Sequence, residues 1–263
     1  MPAAERTWVV LAVVACLGLG CASGGSKAER RAEKETNQRQ AVARYNVGVN
    51  HLSEGRTALA LRELRVALDK NPDDPWIHLA LAEGYRRKAN SAEAETHFRQ
   101  ALLLNPAFHE ARLSLSALHV QTGHYEEALV ESQRLVDDPT FEAPWRAHTN
   151  LGWALFKLGR IEEARRNLQL ALEYRPDYWT AVLDLGILEA GEGHKLEAVK
   201  LLQKVLELEP NALAVAEVNY RLGELYVSLG RRDEALAHLS QAVATRPNGN
   251  WGKRSEDYLK LLQ

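Results

Sequence analysis

Cysteine is nearly absent: the chain of 263 residues holds two, Cys16 and Cys21, both at the very start. Everything after Cys21 is therefore without disulfides, thiolate metal sites or cysteine catalysis. A charge excess is lacking too, with 33 Lys and Arg against 35 Asp and Glu. Nothing in that balance favours nucleic acid or an anionic membrane surface. The nine histidines fall in no HExxH or paired-ligand spacing, and no glycine-rich loop is built to cradle phosphate. No metal, cofactor, small-molecule substrate or catalytic activity is expected.

The apolar run at residues 8–20 is 13 long and follows a short segment carrying Arg6. A membrane-spanning helix needs roughly 20 apolar residues, so the run reads as the core of a signal peptide. It ends at Leu17-Gly18-Leu19-Gly20-Cys21 and turns polar at Ala22-Ser23-Gly24-Gly25-Ser26-Lys27. This pattern resembles a bacterial lipoprotein signal, which implies a signal peptide at 1–20 and lipidation of Cys21. Val13-Val14-Ala15-Cys16 also fits the residue pattern, and Cys16 stands as the alternative. Ala22 rather than Asp after the cysteine implies sorting to the outer membrane, facing the periplasm. Residues 21–40 read as a flexible, charged linker.

Past the linker, a repeat dominates. Asn71-Pro72, Asn105-Pro106, Arg175-Pro176, Glu209-Pro210 and Arg246-Pro247 stand 34, 70, 34 and 37 residues apart. That period, closed by proline, is the pattern of tetratricopeptide (TPR) helical hairpins. Six repeats follow in register: 41–74, 75–108, 109–144, 145–178, 179–215 and 216–249. Position eight is small in every repeat, as Gly48, Ala82, Ser116, Gly152, Gly186 and Gly223. Position twenty is alanine throughout, as Ala60, Ala94, Ala128, Ala164, Ala198 and Ala235. Small residues at both places let two helices approach closely.

Large residues at position twenty-four (Leu64, Phe98, Leu168, Leu202, Leu239) are expected to fill space between neighbouring repeats. The third repeat departs, with Ser132 there and Leu135 where alanine is usual. Glycine near position fifteen supplies the turn, and Asp74-Pro75 supplies an N-cap and a first-turn proline. His51 and His119 read as packed residues. A stack of hairpins needs a polar-faced end, and residues 250–263 read as a capping helix. The fold class is thus all-α: a right-handed superhelical solenoid of six TPR hairpins and a cap.

In such a solenoid the first helix of each hairpin lines the concave face. Its open positions are unusually apolar here: Val42, Tyr45, Val49, Leu52, Trp76, Leu79, Trp153, Phe156, Leu183, Ile187 and Tyr220. Polar groups among them are Asn46, Asn150, Asp184, Arg221, Arg86 and Arg87. Aromatic and arginine residues on an apolar surface mark protein interaction sites. With Tyr45 and Val49 at the fifth and ninth positions of the first repeat, the Lys/Asn clamp for a C-terminal carboxylate is missing. The expected ligand is an amphipathic helix or an extended apolar segment.

A lipoprotein signal, a charged linker and six repeats together resemble the type IV pilus biogenesis lipoproteins PilF, PilW and Tgl. The most telling stretch is Asp137-Asp138-Pro139-Thr140-Phe141, Pro144-Trp145-Arg146-Ala147 and Asn150-Leu151-Gly152-Trp153, an extended third repeat and the restart of the fourth. The resemblance implies a pilotin, which helps secretin subunits assemble in the outer membrane. It also implies that Tyr45 and Asn46 lie in the secretin-contact region.

Overall fold

A computed structural model of the protein describes residues 26–262. The signal peptide expected at 1–20, Cys16 and Cys21 lie outside the described residues. Those described form thirteen α-helices and no strand. They fall into two compact units, the first ending at Ala80 and the second beginning at Leu81.

The first unit holds α1 (Lys27–Ser53), α2 (Thr57–Lys70) and the start of α3 (Pro75–Arg87). Helix α1 is longer than the repeat requires and takes in residues 27–40, expected above as flexible linker. A capping box explains the difference. The Ser26 hydroxyl accepts from the Glu29 N–H, and the Glu29 carboxylate accepts from the Ser26 N–H. Arg31 and Glu35 then pair one turn apart.

Within the hairpin, a Cβ built on Gly48 would meet Leu64 Cγ at 2.6 Å. Position twenty-four thus packs on position eight of its own hairpin, and it also faces the next element: Leu168 clusters with Leu185 and Leu188, Leu202 with Val218 and Leu222, and Leu239 with Trp251 and Tyr258. The glycine contact recurs at Gly152 with Leu168 and Gly223 with Leu239.

The second unit runs on through α4 (Ser91–Leu104), α5 (His109–Thr122), α6 (Tyr125–Val136), α7 (Pro144–Lys157), α8 (Ile161–Tyr174) and α9 (Trp179–Gly191). It ends with α10 (Lys195–Glu207), α11 (Ala212–Ser228), α12 (Arg232–Thr245) and α13 (Asn250–Leu262). From α4 on, each helix packs on the next, and α5 also touches α7, α7 touches α9, and α11 touches α13. The position-twenty alanines are fully buried. Gly55, Gly123, Gly159, Gly193 and Gly230 take the positive φ that each turn requires, and Ala89 takes it in the second repeat, at φ 56°. The three extra residues of the fifth repeat lengthen the start of α11, which begins at Ala212 with Asn211 as its side-chain cap.

One regularity went unread in the sequence. Positions four and twenty-three, 19 residues apart, join the two helices of a hairpin: Arg44–Glu63 at 2.6 Å, Arg112–Glu131 at 2.6 Å, His148–Asn167 at 2.9 Å and Asn219–His238 at 2.8 Å. In the fifth repeat Val182 and Leu201 take those places and join a hydrophobic cluster instead. A partly buried polar clasp fixes the axial register of two helices that small residues otherwise leave free to slide.

The third repeat replaces the glycine-on-leucine contact with a buried hydroxyl pair, Ser116 Oγ to Ser132 Oγ at 2.6 Å. Leu135 compensates by packing with Leu113 and Ala147. The loop that extends this repeat is stapled. Asp138 accepts from the Thr140 hydroxyl at 2.6 Å, the Thr140 N–H at 2.9 Å and His109 Nε2 at 2.8 Å. Those Thr140 bonds, ahead of the one from His109, hold the Asp138 carboxyl down at about 2.

Candidate partner-binding groove

The first compact unit presents one open face. Val42, Tyr45, Asn46 and Val49 fall in the i, i+3, i+4, i+7 pattern, so they share a side of α1. Val42 is 53% exposed and Val49 37%; Asn46 is exposed and Tyr45 half-buried. Burial, and then the charge of Asp74, push the Tyr45 hydroxyl above its ordinary pKa. Trp76 is 50% exposed in the first turn of α3, where its N–H donates to Asp74 Oδ1 at 2.9 Å. Leu79 is half-buried, and Leu52 is buried and unavailable. Farther along α1, Val42 borders a cavity of about 530 Å³ with Glu35, Gln38, Arg39, Asn71 and Asp74.

In the second unit the expected residues divide. Trp153 stays partly open, its ring 5.5 Å from that of Phe156, with Lys157 Nζ 5.7 Å above it. Phe156 leans on the cluster of Leu151, Leu155 and Leu188. Leu183 is buried in the cluster with Val182 and Leu202, and Ile187 packs against it. Tyr220 is also buried, beneath Trp251 at 5.2 Å and Arg254, whose guanidinium donates to its hydroxyl at 2.9 Å. Tyr220 and Leu183 thus present little to a partner, because the following helices already occupy their faces.

The polar residues are engaged as well. Arg86 pairs with Glu83 at 2.7 Å and Arg221 with Glu217 at 2.7 Å, while Arg87 is exposed. Asp184 is held well above the usual carboxylate range by burial and by Glu217, which Arg221 offsets in part. Asn150 donates through Nδ2 to Ser116 Oγ at 3.2 Å. Asn150 also lines a cavity of about 210 Å³ with Glu83, Arg86, Leu113, Ser114, Ala117, Arg146 and Tyr178. Arg146, Ser114 and Glu83 sit at the same open repeat positions as the residues chosen above. Being polar, they carry no hydropathy signal that would mark that face in the sequence.

His119 is buried as expected, and burial depresses its pKa. It lines a cavity of about 490 Å³ between α4, α5 and α6, beside the exposed Leu103 and Val130. Among the described residues no group of three or more His, Cys, Asp or Glu is arranged to hold a metal ion. No described helix is long and apolar enough to cross a membrane.

Three family models described as tetratricopeptide repeat match residues 79–140, 145–178 and 189–253. The human protein O-mannosyl-transferase TMTC2 is 36% identical over 98 residues, 37% of this chain and 12% of that protein. The type IV pilus assembly protein PilF of Pseudomonas aeruginosa is 22% identical over 166 residues, 63% of this chain and 66% of PilF. The chain thus spans under two thirds of either curated relative. Among solved structures, PilW, described as a widely conserved type IV pilus biogenesis factor, is 20% identical with a TM-score of 0.69. The match covers 81% of this chain and 97% of PilW. The structure of PilF aligns with a TM-score of 0.66 at 19% identity, over 85% of this chain and 99% of that one.

Proposed function

This chain belongs to the tetratricopeptide-repeat family, and we propose that it is a pilotin: a non-enzymatic outer-membrane lipoprotein that binds secretin subunits and promotes their assembly for type IV pili. The observation that carries the reading is the first compact unit, where Val42, Tyr45 and Val49 on α1 and Trp76 at the start of α3 leave apolar and aromatic surface uncovered. Such a surface, with Asn46 among its apolar neighbours, suits an amphipathic or apolar segment of a partner. Similarity to PilF and PilW supports the pilus context. The stapled loop of the third repeat adds to it, since Phe141 is seated beside Leu113, Leu135 and Ala147. TMTC2 is a transferase by name, but the match reaches only 12% of it, so no transfer chemistry is carried over. Lipidation at Cys21, with Cys16 as the alternative, would tether the protein to the periplasmic face of the outer membrane.

The test is an immunoblot for heat-resistant secretin multimers in outer membranes of a deletion strain. Secretin found only as monomer, with multimers restored on re-expression, is the expected result. Normal multimers without the protein would overturn the pilotin reading in favour of an adaptor for another periplasmic client, such as cell-wall hydrolases or the outer-membrane protein assembly machinery. Replacing Cys21 with Ser and following membrane fractionation tests the anchor, and a variant still acylated would move it to Cys16.

A further inference from the structure

Helix α5 has two working sides. One carries Ser114 and Ala117 to the groove. The other carries Arg112, Leu115 and His119, spaced i, i+3 and i+7, to the 490 Å³ cavity between α4 and α6. Those are the second helices of two successive repeats, and the buried Leu115 and His119 lie at the base between them. The repeat pattern predicts polar walls. Position twenty-two is Arg62, Thr96, Arg166, Lys200 and Ala237 in five repeats, and position twenty-nine is Asp69, Asp137, Glu173, Glu207 and Ala244 in five. Large apolar residues take these positions in two places only, Val130 at twenty-two and Leu103 at twenty-nine. Both border this one cavity, 45% and 74% exposed. Solvated polar groups are the rule at such positions, so two departures that meet mark a surface meant to be covered.

The polar lining points the same way. At position eleven, later repeats reach across to the second helix of the repeat before. Glu189 accepts from Arg165 Nε at 2.7 Å, and the Tyr226 hydroxyl accepts from Gln203 Nε2 at 3.0 Å. His119 is the corresponding residue of the third repeat. The side chains it would meet, Glu95 and Arg99, pair with each other at 2.5 Å instead. His119 is 2% exposed, and its Nδ1 has no hydrogen-bond partner among the described residues. Burial depresses its pKa and so keeps the ring neutral. The rim charges are unevenly matched as well. Arg112 and Arg134 share Glu131 at 2.6 and 2.9 Å. Glu126 and Glu127, a turn nearer the start of α6, form no ion pair with another described residue, so the His119 end stays negative.

We propose that this cavity is a second docking site, which takes an apolar segment of a partner protein bearing a tyrosine with a basic residue close by. Leu103 and Val130 cover the apolar part. A tyrosine hydroxyl both donates and accepts, so it suits the unpartnered imidazole in either tautomer. The basic group meets Glu126 and Glu127 in charge-assisted bonds. This site lies on the other side of α5 from the groove and does not depend on the pilotin reading.

The test uses the full chain in detergent and three capped peptides: Ac-Lys-Leu-Tyr-Leu-NH2, its counterpart with Phe for Tyr, and its counterpart with Gln for Lys. Affinities are read by NMR titration, following the methyl groups of Leu103, Leu115 and Val130. The first peptide is expected to shift those methyls and to bind about fivefold more tightly than the Phe peptide, as one neutral hydrogen bond would give. His119→Phe should abolish that preference, and Glu127→Gln should abolish the preference for Lys over Gln. Leu103→Gln alters an exposed side chain that the fold does not need, and it should weaken all three peptides about tenfold. That variant and Glu127→Gln decide the matter should His119→Phe fail to fold. Unmoved Leu103 and Val130 methyls, or unchanged affinity in Leu103→Gln, would overturn the site. Equal binding of the Tyr and Phe peptides, equal binding of the Lys and Gln peptides, or a Tyr preference that survives His119→Phe would overturn the ligand assigned to it.

Discussion

The first and sixth hairpins place a tyrosine at the same repeat position, Tyr45 and Tyr220, and give them opposite fates. Tyr45 is half-buried on a face that also leaves Val42 and Val49 exposed, whereas Tyr220 is 6% exposed beneath Trp251 and Arg254 of α13. The difference does not lie in the tyrosines or in their own helices. It lies in the helix that follows. Helix α13 contributes Trp251, Tyr258, Leu259 and Leu262 to a cluster with Tyr220, Leu239 and Ala242. A groove residue in a repeat protein is therefore an open residue only where the next helix leaves it so.

The largest way to break this contrast is to undock the cap. A Cβ on Gly252 would lie 2.0 Å from the Arg246 carbonyl oxygen and 3.2 Å from Pro247 Cα, both backbone atoms that cannot swing aside. Gly252→Ala is expected to cost about 3 kcal/mol at the C-terminal end, the upper range for overpacking. Hydrogen exchange should show α13 and the Tyr220 turn losing protection together, while α1 and α2 keep theirs.

Next come the two glycines at position eight, each with a leucine Cγ 2.6 Å from its added Cβ. Gly48→Ala and Gly223→Ala should each lose about 1–2 kcal/mol, because the clash outweighs the roughly 1 kcal/mol gain in helix propensity. Gly186→Ala, with its nearest contacts at 3.2–3.3 Å, should be close to neutral in the same denaturation series.

Acid offers a subtler separation of the two ends. Burial holds His238, in the clasp of the sixth hairpin, below its ordinary value of 6.5. Between that depressed value and 6.5 the unfolded chain takes up a proton that the folded chain refuses. The sixth hairpin's stability is therefore complete above pH 6.5 and falls as pH drops through that window. The first hairpin's clasp behaves differently. Arg44 and Arg62 hold Glu63 below its ordinary 4.5, so its contribution persists until pH falls below that value. Hydrogen exchange at pH 5.5 should show the sixth hairpin loosened and the first unchanged.

The smallest effect on stability should come from Trp76→Ala, an exposed side chain whose loss is expected to cost under about 0.5 kcal/mol. Partner binding should nonetheless fall about tenfold, as for an aromatic hot spot. Trp153→Ala should weaken binding in the same direction. Unchanged affinity in both variants would remove the groove from the account.

These contrasts also mark how far the chain could be read without coordinates. The alanines at position twenty, the turn glycines and the Asp74-Pro75 start all announce themselves, because each answers to a local steric demand that few residues meet. The clasp between positions four and twenty-three does not, since Arg–Glu, His–Asn and Asn–His all serve it and no single residue type repeats. The helical reach of residues 27–40 was legible in Ser26 and Glu29, but a charged, glycine-flanked segment also looks like linker. The site was legible by position and not by exposure. Val49 and Trp76 remain open, whereas Leu183 is buried in a cluster drawn from its own repeat and the next, and Tyr220 is covered by a cap that its own repeat does not encode. Arg146 escaped because a polar residue on an apolar face draws no notice until the cavity around it is seen.

The most direct test of the account is photocrosslinking in cells from a benzophenone amino acid placed at Val49, on the open first hairpin, or at Leu261, which is 81% exposed on the cap. The account predicts a secretin adduct from Val49 and none from Leu261. An adduct from Leu261 alone, or equal adducts from both, would contradict it.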